Sequence, residues 1–486
     1  MKPRYLMLLF AVGCGTARAL PSTSPPKPES TMAATSRSDA EEWRRVRPNI
    51  PAPTLAALPA VQSFELSNGL SVHVVENHRL PLVATTVVVH GGSSNRARGV
   101  AKLVASSISR GWTKMPPSEF ADALAALGGT ITNAVQPDYT TITIEALAER
   151  WAATMQLVGD AITHPDLGSG RVAALRSELS SQVQARAQID SALALDLVQH
   201  DLYGDDPYGW TPLSAPHAYE QVTSRDAQEF YEAFWQPRNS TIVVAGDVTV
   251  AQTRAALEKT FGTWQGSTSQ PRPVARPLPP APASRIFVVN RPSAKQATIV
   301  AAARVAARGS KDWDATFIAN RVLGGSFDSR LNVNLRQVKA YSYAIRSVVL
   351  PMSRDSVLYA NSSVRLDRAG ASLKEIFAEL EGMRSRPADG IELETAKLAC
   401  RLGGRLEIET NGEIVATLAA IVGVNLPVSE LAARFSRLEL VQPGEVAAQL
   451  PAAHTSAVLV GPAATLLEQL RDLGFTATEI ALPQAH

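Results

Sequence analysis

A stretch from Gly266 to Ser284 divides the chain, and the same order of elements reads on either side of it. The stretch holds six prolines and few large apolar residues, the composition of an interdomain linker. Upstream, Phe64 to Glu76 reads as a hairpin around an Asn68-Gly69 turn, and Leu82 to His90 is a β-branched run suited to a central strand. Helical periodicity follows in Gly99–Ser109, Glu119–Leu127 and Arg150–Thr163, with a strand between at Thr140–Ala146. Longer helical stretches, Gly170–Tyr203 and Ser224–Phe234, lead to a strand at Ser240–Ala245. Downstream, Arg285–Asn290 and Thr298–Ala303 read as strands, Asp312–Leu323 as a helix and Val357–Val364 as a strand. Helices at Gly370–Arg384, Ile391–Ile408 and Glu413–Val422 come next, then a strand at Ala457–Val460 and a last helix. The chain is therefore expected to be α+β and internally duplicated, with halves at 61–265 and 285–486 joined by the linker 266–284 as a clam or bowl.

At 486 residues the chain exceeds one hydrophobic core, in keeping with two halves. A formal charge of +2, with no Lys/Arg run interleaved with aromatics, argues against a nucleic-acid partner. Two cysteines, Cys14 and Cys400, exclude a disulfide framework. Lys2 and Arg4 precede an apolar run, Tyr5 to Val12, too short to span a bilayer, and then Ala11-Val-Gly-Cys14. This pattern resembles a bacterial lipoprotein signal with Cys14 as the lipidated residue, although Ala11 stands where leucine is usual. A plain secretory signal cleaved after Ala17 or Ala19 is the alternative. The expected location is the cell envelope, periplasmic and membrane-anchored, with the outer membrane favoured. The signal segment is placed at 1–19, and 20–60, rich in Pro, Ser, Thr and Ala at its start, is expected to be a tether.

Most of the chemistry lies between Leu323 and Ser347. Gly324 and Gly325 close an apolar helical run and free the backbone for conformations that a Cβ forbids, so the stretch reads as a helix C-cap turning into a loop. A helix is expected over Ser329–Val338, capped by Asp328 or Ser329, with Leu331 and Leu335 on its buried face. Tyr341 to Ile345 then alternates as a strand. Arg336 and Tyr343 can thus converge on one ligand, the first as a bidentate donor and the second through its hydroxyl. The alternative is a surface Arg and a core-edge Tyr.

A series of short signposts, each weak alone, recurs in order: Asn68-Gly-Leu70, Gly91-Gly-Ser93, Leu127-Gly-Gly129, His164-Pro165, Asp206-Pro-Tyr-Gly209, Phe234-Trp-Gln-Pro-Arg-Asn239, Val243-Val-Ala-Gly-Asp247 and Leu323-Gly-Gly325 through Tyr343. Together they resemble the inverted-motif zinc peptidases related to pitrilysin, insulin-degrading enzyme and mitochondrial processing peptidase, above all the two-domain bacterial members. The resemblance spans about residues 61–470. It implies a catalytic His-x-x-Glu-His on the first helix, where two imidazoles bind zinc and the glutamate acts as general base. In the matching stretch, Gly99 to Gly111, Lys102 stands in place of the first histidine, Ala105 of the glutamate and Ser106 of the second histidine. An ammonium repels Zn²⁺, a methyl group moves no proton and a neutral hydroxyl is a poor zinc ligand. The third family ligand maps to Glu178, expected here as a solvated helix residue or a partner for Lys102. No two of the eight histidines stand i, i+4 on a helix. Lys102 and Ser106 share a helix face, so a Ser/Lys nucleophile pair is a further reading.

On the substrate side, the resemblance maps a substrate-holding arginine and tyrosine, seven residues apart, onto Arg336 and Tyr343. Some two-domain relatives divide the work between a metal-bearing chain and a chain with the Arg/Tyr pair, and this sequence resembles the second. It implies an inactive subunit of a heteromeric zinc peptidase that binds peptide and has no cofactor of its own, the zinc lying in the partner. The alternative is a stand-alone lipid-anchored peptide-binding or scaffold protein.

Overall fold

The computed structural model describes residues 58–266, 277–450 and 454–481. The signal segment, Cys14, most of the tether, and positions 267–276 of the linker lie outside them. The first half builds β1 (Gln62–Glu65), β2 (Ser71–Glu76), β3 (Leu82–Val89), β4 (Thr130–Val135), β5 (Thr140–Leu147) and β6 (Ser240–Gly246). They form one sheet in the order β1-β2-β6-β3-β5-β4. The second half builds β7 (Ile286–Asn290), β8 (Gln296–Val305), β9 (Ser342–Pro351), β10 (Ser356–Arg365), β11 (Ser456–Gly461) and β12 (Thr478–Ile480). Its order, β12-β7-β11-β8-β10-β9, is the same path through five strands. The one parallel inner pair recurs as well, β2 with β6 and β7 with β11, and every other inner pair is antiparallel. Only the outer strands differ: β1 runs antiparallel to β2, whereas β12 runs parallel to β7. A path this specific, repeated, is the structural form of the duplication that the sequence suggests.

The helices of the first half are α1 (Val100–Ile108), α2 (Pro117–Ala126), α3 (Ala148–Thr163), α4 (Ser169–Ala187), α5 (Asp190–Tyr203), α6 (Ala218–Gln221), α7 (Ser224–Phe234) and α8 (Val250–Phe261). Those of the second are α9 (Trp313–Leu323), α10 (Ala369–Ser385), α11 (Gly390–Leu406), α12 (Asn411–Val422), α13 (Glu430–Leu440), α14 (Pro443–Ala447) and α15 (Ala463–Asp472). The long helical stretch expected over Gly170–Tyr203 is two helices, because Ile189 turns extended (φ −95°, ψ 102°) before Asp190 starts the next one. Strand β4 escapes a sequence reading because it is an edge strand with no fully buried residue.

Strands β3 and β6 are buried almost throughout, so their sheet must be covered on both faces. One face packs on helices of its own half. The other face receives α12 from the second half: Ile414, Val415, Leu418 and Val422 pack on Val75, Ala84, Val88, Val243 and Ala245. Helix α5 does the same in return, placing Leu193, Ala194 and Val198 in a core with Val300, Ala302, Val458 and Val460 of β8 and β11. Because α5 and α12 hold equivalent places in the two halves, the exchange is pseudo-symmetric. Polar contacts close the seam. Arg354 donates to Asp206 at 2.7 Å, and Asp138 accepts from the Tyr208 hydroxyl and the Ser353 hydroxyl, both at 2.6 Å.

Candidate functional site

Helix α1 follows Gly99, whose φ of 85° and approach to Tyr219 (2.8 Å from a Cβ placed there) both demand glycine. Ala105 is fully buried and Ser106 nearly so; Lys102 is the residue of α1 that is only half-buried. Its ammonium donates to Asn133 Oδ1 of β4 at 2.8 Å, and Asn133 Nδ2 in turn donates to Ser109 Oγ at 2.9 Å. The amine is thus bonded to an amide and not to Ser106, and a Ser/Lys nucleophile pair finds no support in this geometry.

Helices α1 and α4 do pack, but Glu178 does not pair with Lys102. Both its carboxylate oxygens are taken by the Arg110 guanidinium in a bidentate pair, and Gln182 Nε2 adds a bond of 3.0 Å. A planar fork matches a carboxylate better than a single ammonium does, which is why the arginine holds it. Arg110 is the main reason the Glu178 carboxyl lies below its ordinary value, and its own pKa is raised in turn. Burial first, and then repulsion by Arg110, lower the pKa of Lys102, with Glu178 opposing. An ammonium, a methyl group, a buried hydroxyl and an already neutralised carboxylate do not fit a zinc ion. Among the described residues, no three His, Cys, Asp or Glu side chains gather as a metal site elsewhere.

The second cluster is built on an irregular element. Asn332–Val338 is a π-helix, and the expected cap at Asp328 or Ser329 does not form: Ser329 Oγ donates to Ser326 O instead. Lys339 N bonds Asn334 O at 2.9 Å and Tyr341 N bonds Leu335 O at 2.8 Å, so the last turn is wide. Leu331 and Leu335 still face the core, both fully buried. Buried Asn332 ties the π-helix to β9, donating to Ile345 O at 2.7 Å and accepting from Ile345 N. Gly324 and Gly325 allow a close approach: a Cβ on Gly324 would lie 2.8 Å from the Ser347 backbone nitrogen, and one on Gly325 would lie 3.0 Å from Asn320 O. Neither has a positive φ, so the two glycines are required by the room that packing leaves and not by the special backbone conformation the sequence suggests. The outcome is that Arg336 and Tyr343 do come together, the guanidinium 5.4 Å from the Tyr343 ring centroid. Tyr343 is 87% exposed, not a core-edge residue. Phe327, which the sequence reading missed, lies on the same guanidinium at 4.0 Å and is itself 67% exposed. Its signal was an aromatic placed in a glycine-rich loop where no core position was available. A guanidinium lying against two exposed rings keeps its donors free for a carbonyl or carboxylate.

A duplicated α+β fold with this element order defines a two-domain peptidase-like protein. Residues 72–216 match the insulinase family (peptidase family M16), and residues 221–400 match the peptidase M16 inactive domain. The chain belongs to the M16 family. It is 22% identical to the zinc protease PqqE of Helicobacter pylori, over 74% of this chain and 83% of that protein. It is 23% identical to an uncharacterised zinc protease of Streptomyces coelicolor, where the match spans 49% of this chain and only about half (52%) of the relative. Among solved structures, it is similar to the peptidase M16 inactive domain from Pseudomonas fluorescens, with a TM-score of 0.72 and 21% identity over 83% of this chain and 98% of that one.

Proposed function

We propose that this chain is a catalytically inactive subunit of a heteromeric zinc metallopeptidase, which binds peptide and orients it for a partner chain carrying His-x-x-Glu-His and the zinc. One contrast carries the reading: the Arg110–Glu178 pair blocks the position where a metal ligand would stand, while a half-buried Arg336 lies against two exposed rings, Tyr343 and Phe327. Arg336 would grip a substrate carbonyl or carboxylate, Tyr343 would add its hydroxyl, and the Gly324–Gly325 loop would let the backbone approach. The domain division at 61–265, 266–284 and 285–486 belongs to the same reading. So does the envelope location, with Cys14 as anchor; an intact mass of the mature protein without an acyl addition rejects the anchor.

The test mixes the chain with the metal-bearing partner and follows cleavage of an unfolded-chain peptide. Tyr343→Phe and Arg336→Ala should each lose about 1 to 3 kcal/mol of transition-state binding, roughly tenfold to a hundredfold in kcat/KM. Their losses should be less than additive, because both groups hold one substrate. Full activity of the double variant in an intact complex would remove the orienting role.

A further inference from the structure

A recess of about 300 Å³ opens beside Lys102, at the place where the zinc motif would stand. Its charged lining is all cationic: Arg98, Lys102 and Arg186, with no carboxylate among them. Arg186 is neutralised by buried Asp196, to which it donates at 2.9 and 2.7 Å. Glu178, the nearest acid on α4, is occupied by Arg110 and Gln182. Two cations therefore remain without an acidic partner among the described residues. Lys102 spends one of its three donors on Asn133, and Arg98 stacks over Trp210 with its guanidinium 5.0 Å from the ring. Trp210, under the Arg98 guanidinium, forms part of the same wall. Two cationic side chains lining a recess that holds no carboxylate call for an anionic acceptor.

We infer that this recess binds the C-terminal carboxylate of a peptide, with Lys102 and Arg98 as its charged donors and the last side chain seated against Leu179, Val183 and Trp210. The apolar walls select this over inorganic phosphate, which favours a cradle of backbone N–H groups. The volume stands at the small end of ligand sites and suits one or two residues. Burial already disfavours the charge on Lys102, so an arriving anion relieves that cost. The inference goes beyond the subunit role and needs neither the partner chain nor Arg336 and Tyr343.

The purified full chain, without a partner, should be titrated calorimetrically with N-acetyl-Ala-Ala-Leu as free acid and as C-terminal amide. The amide should bind about tenfold to a hundredfold more weakly. Lys102→Gln and Arg98→Gln should each erode the preference for the acid, and Lys102→Arg should keep more of it than Lys102→Gln. Thermal melts check each fold, and Arg98→Gln carries the test if Lys102→Gln fails to fold. Equal binding of acid and amide, or a preference that survives both Gln variants, would overturn the site. Equal competition by inorganic phosphate or free leucine at the peptide's own concentration would overturn the assignment to a peptide end.

Discussion

Glu178 accepts both its arginine bonds and the Gln182 bond in the folded chain only, and that sets its response to acid. Its folded pKa is depressed, so the stabilisation is fully present above the ordinary glutamate range and is lost as pH falls through the lower folded value. Both side chains are more than a third exposed, 39% and 37%, so solvent screening keeps the pair to at most about 1 kcal/mol. Glu178→Gln should cost no more than that at neutral pH and should flatten the acid limb, read from urea midpoints at about pH 7 and pH 3. The same site predicts no stoichiometric zinc in the purified chain. Elemental analysis finding one zinc per chain, lost in Glu178→Ala, would refute that. Arg336 and Tyr343 are legible in sequence because they lie seven residues apart within one local motif. The Arg110–Glu178 pair is not, because it depends on α1 and α4 packing across 68 residues of chain.

Helix α11 contains two adjacent glycines that local sequence cannot tell apart, and the packing separates them. Around a Cβ on Gly403 nothing lies within 4 Å, whereas one on Gly404 would meet the Phe435 ring of α13 at 2.2 Å. Gly403→Ala should therefore stabilise by about 0.5 to 1 kcal/mol, through helix propensity and reduced unfolded-state freedom. Gly404→Ala should destabilise by about 1 to 3 kcal/mol, because the ring must be displaced from a packed position. Urea midpoints decide it, and a shift of the same sign for both would contradict the packing. The π-helix shows the same limit of local reading. Leu331 and Leu335 give an ordinary i, i+4 signal, and both are buried as that signal implies. The wider turn gives no local signal, and the element is tied to β9 by Asn332 bonding to Ile345, a tertiary contact with no local periodicity.

At the scale of the molecule, the exchange of α5 and α12 binds the stability of each half to the other. Periodicity marks both helices as apolar, yet it cannot say whose sheet they cover, and that was the part of the architecture the sequence left unread. Leu418 lies in the second half but is fully buried against the sheet of the first, and Val198 is placed the opposite way round. Truncating either removes methyl groups from a core whose other wall belongs to the far half. Leu418→Ala should cost about 2 to 5 kcal/mol, and Val198→Ala less, since fewer methyl groups are lost. If the exchange couples the halves, both variants should shift one shared cooperative transition in a calorimetric scan, with calorimetric and van't Hoff enthalpies in agreement. Two resolved transitions, with Leu418→Ala moving only one of them, would mean that each half holds its own fold and that the exchanged helices serve as docking arms.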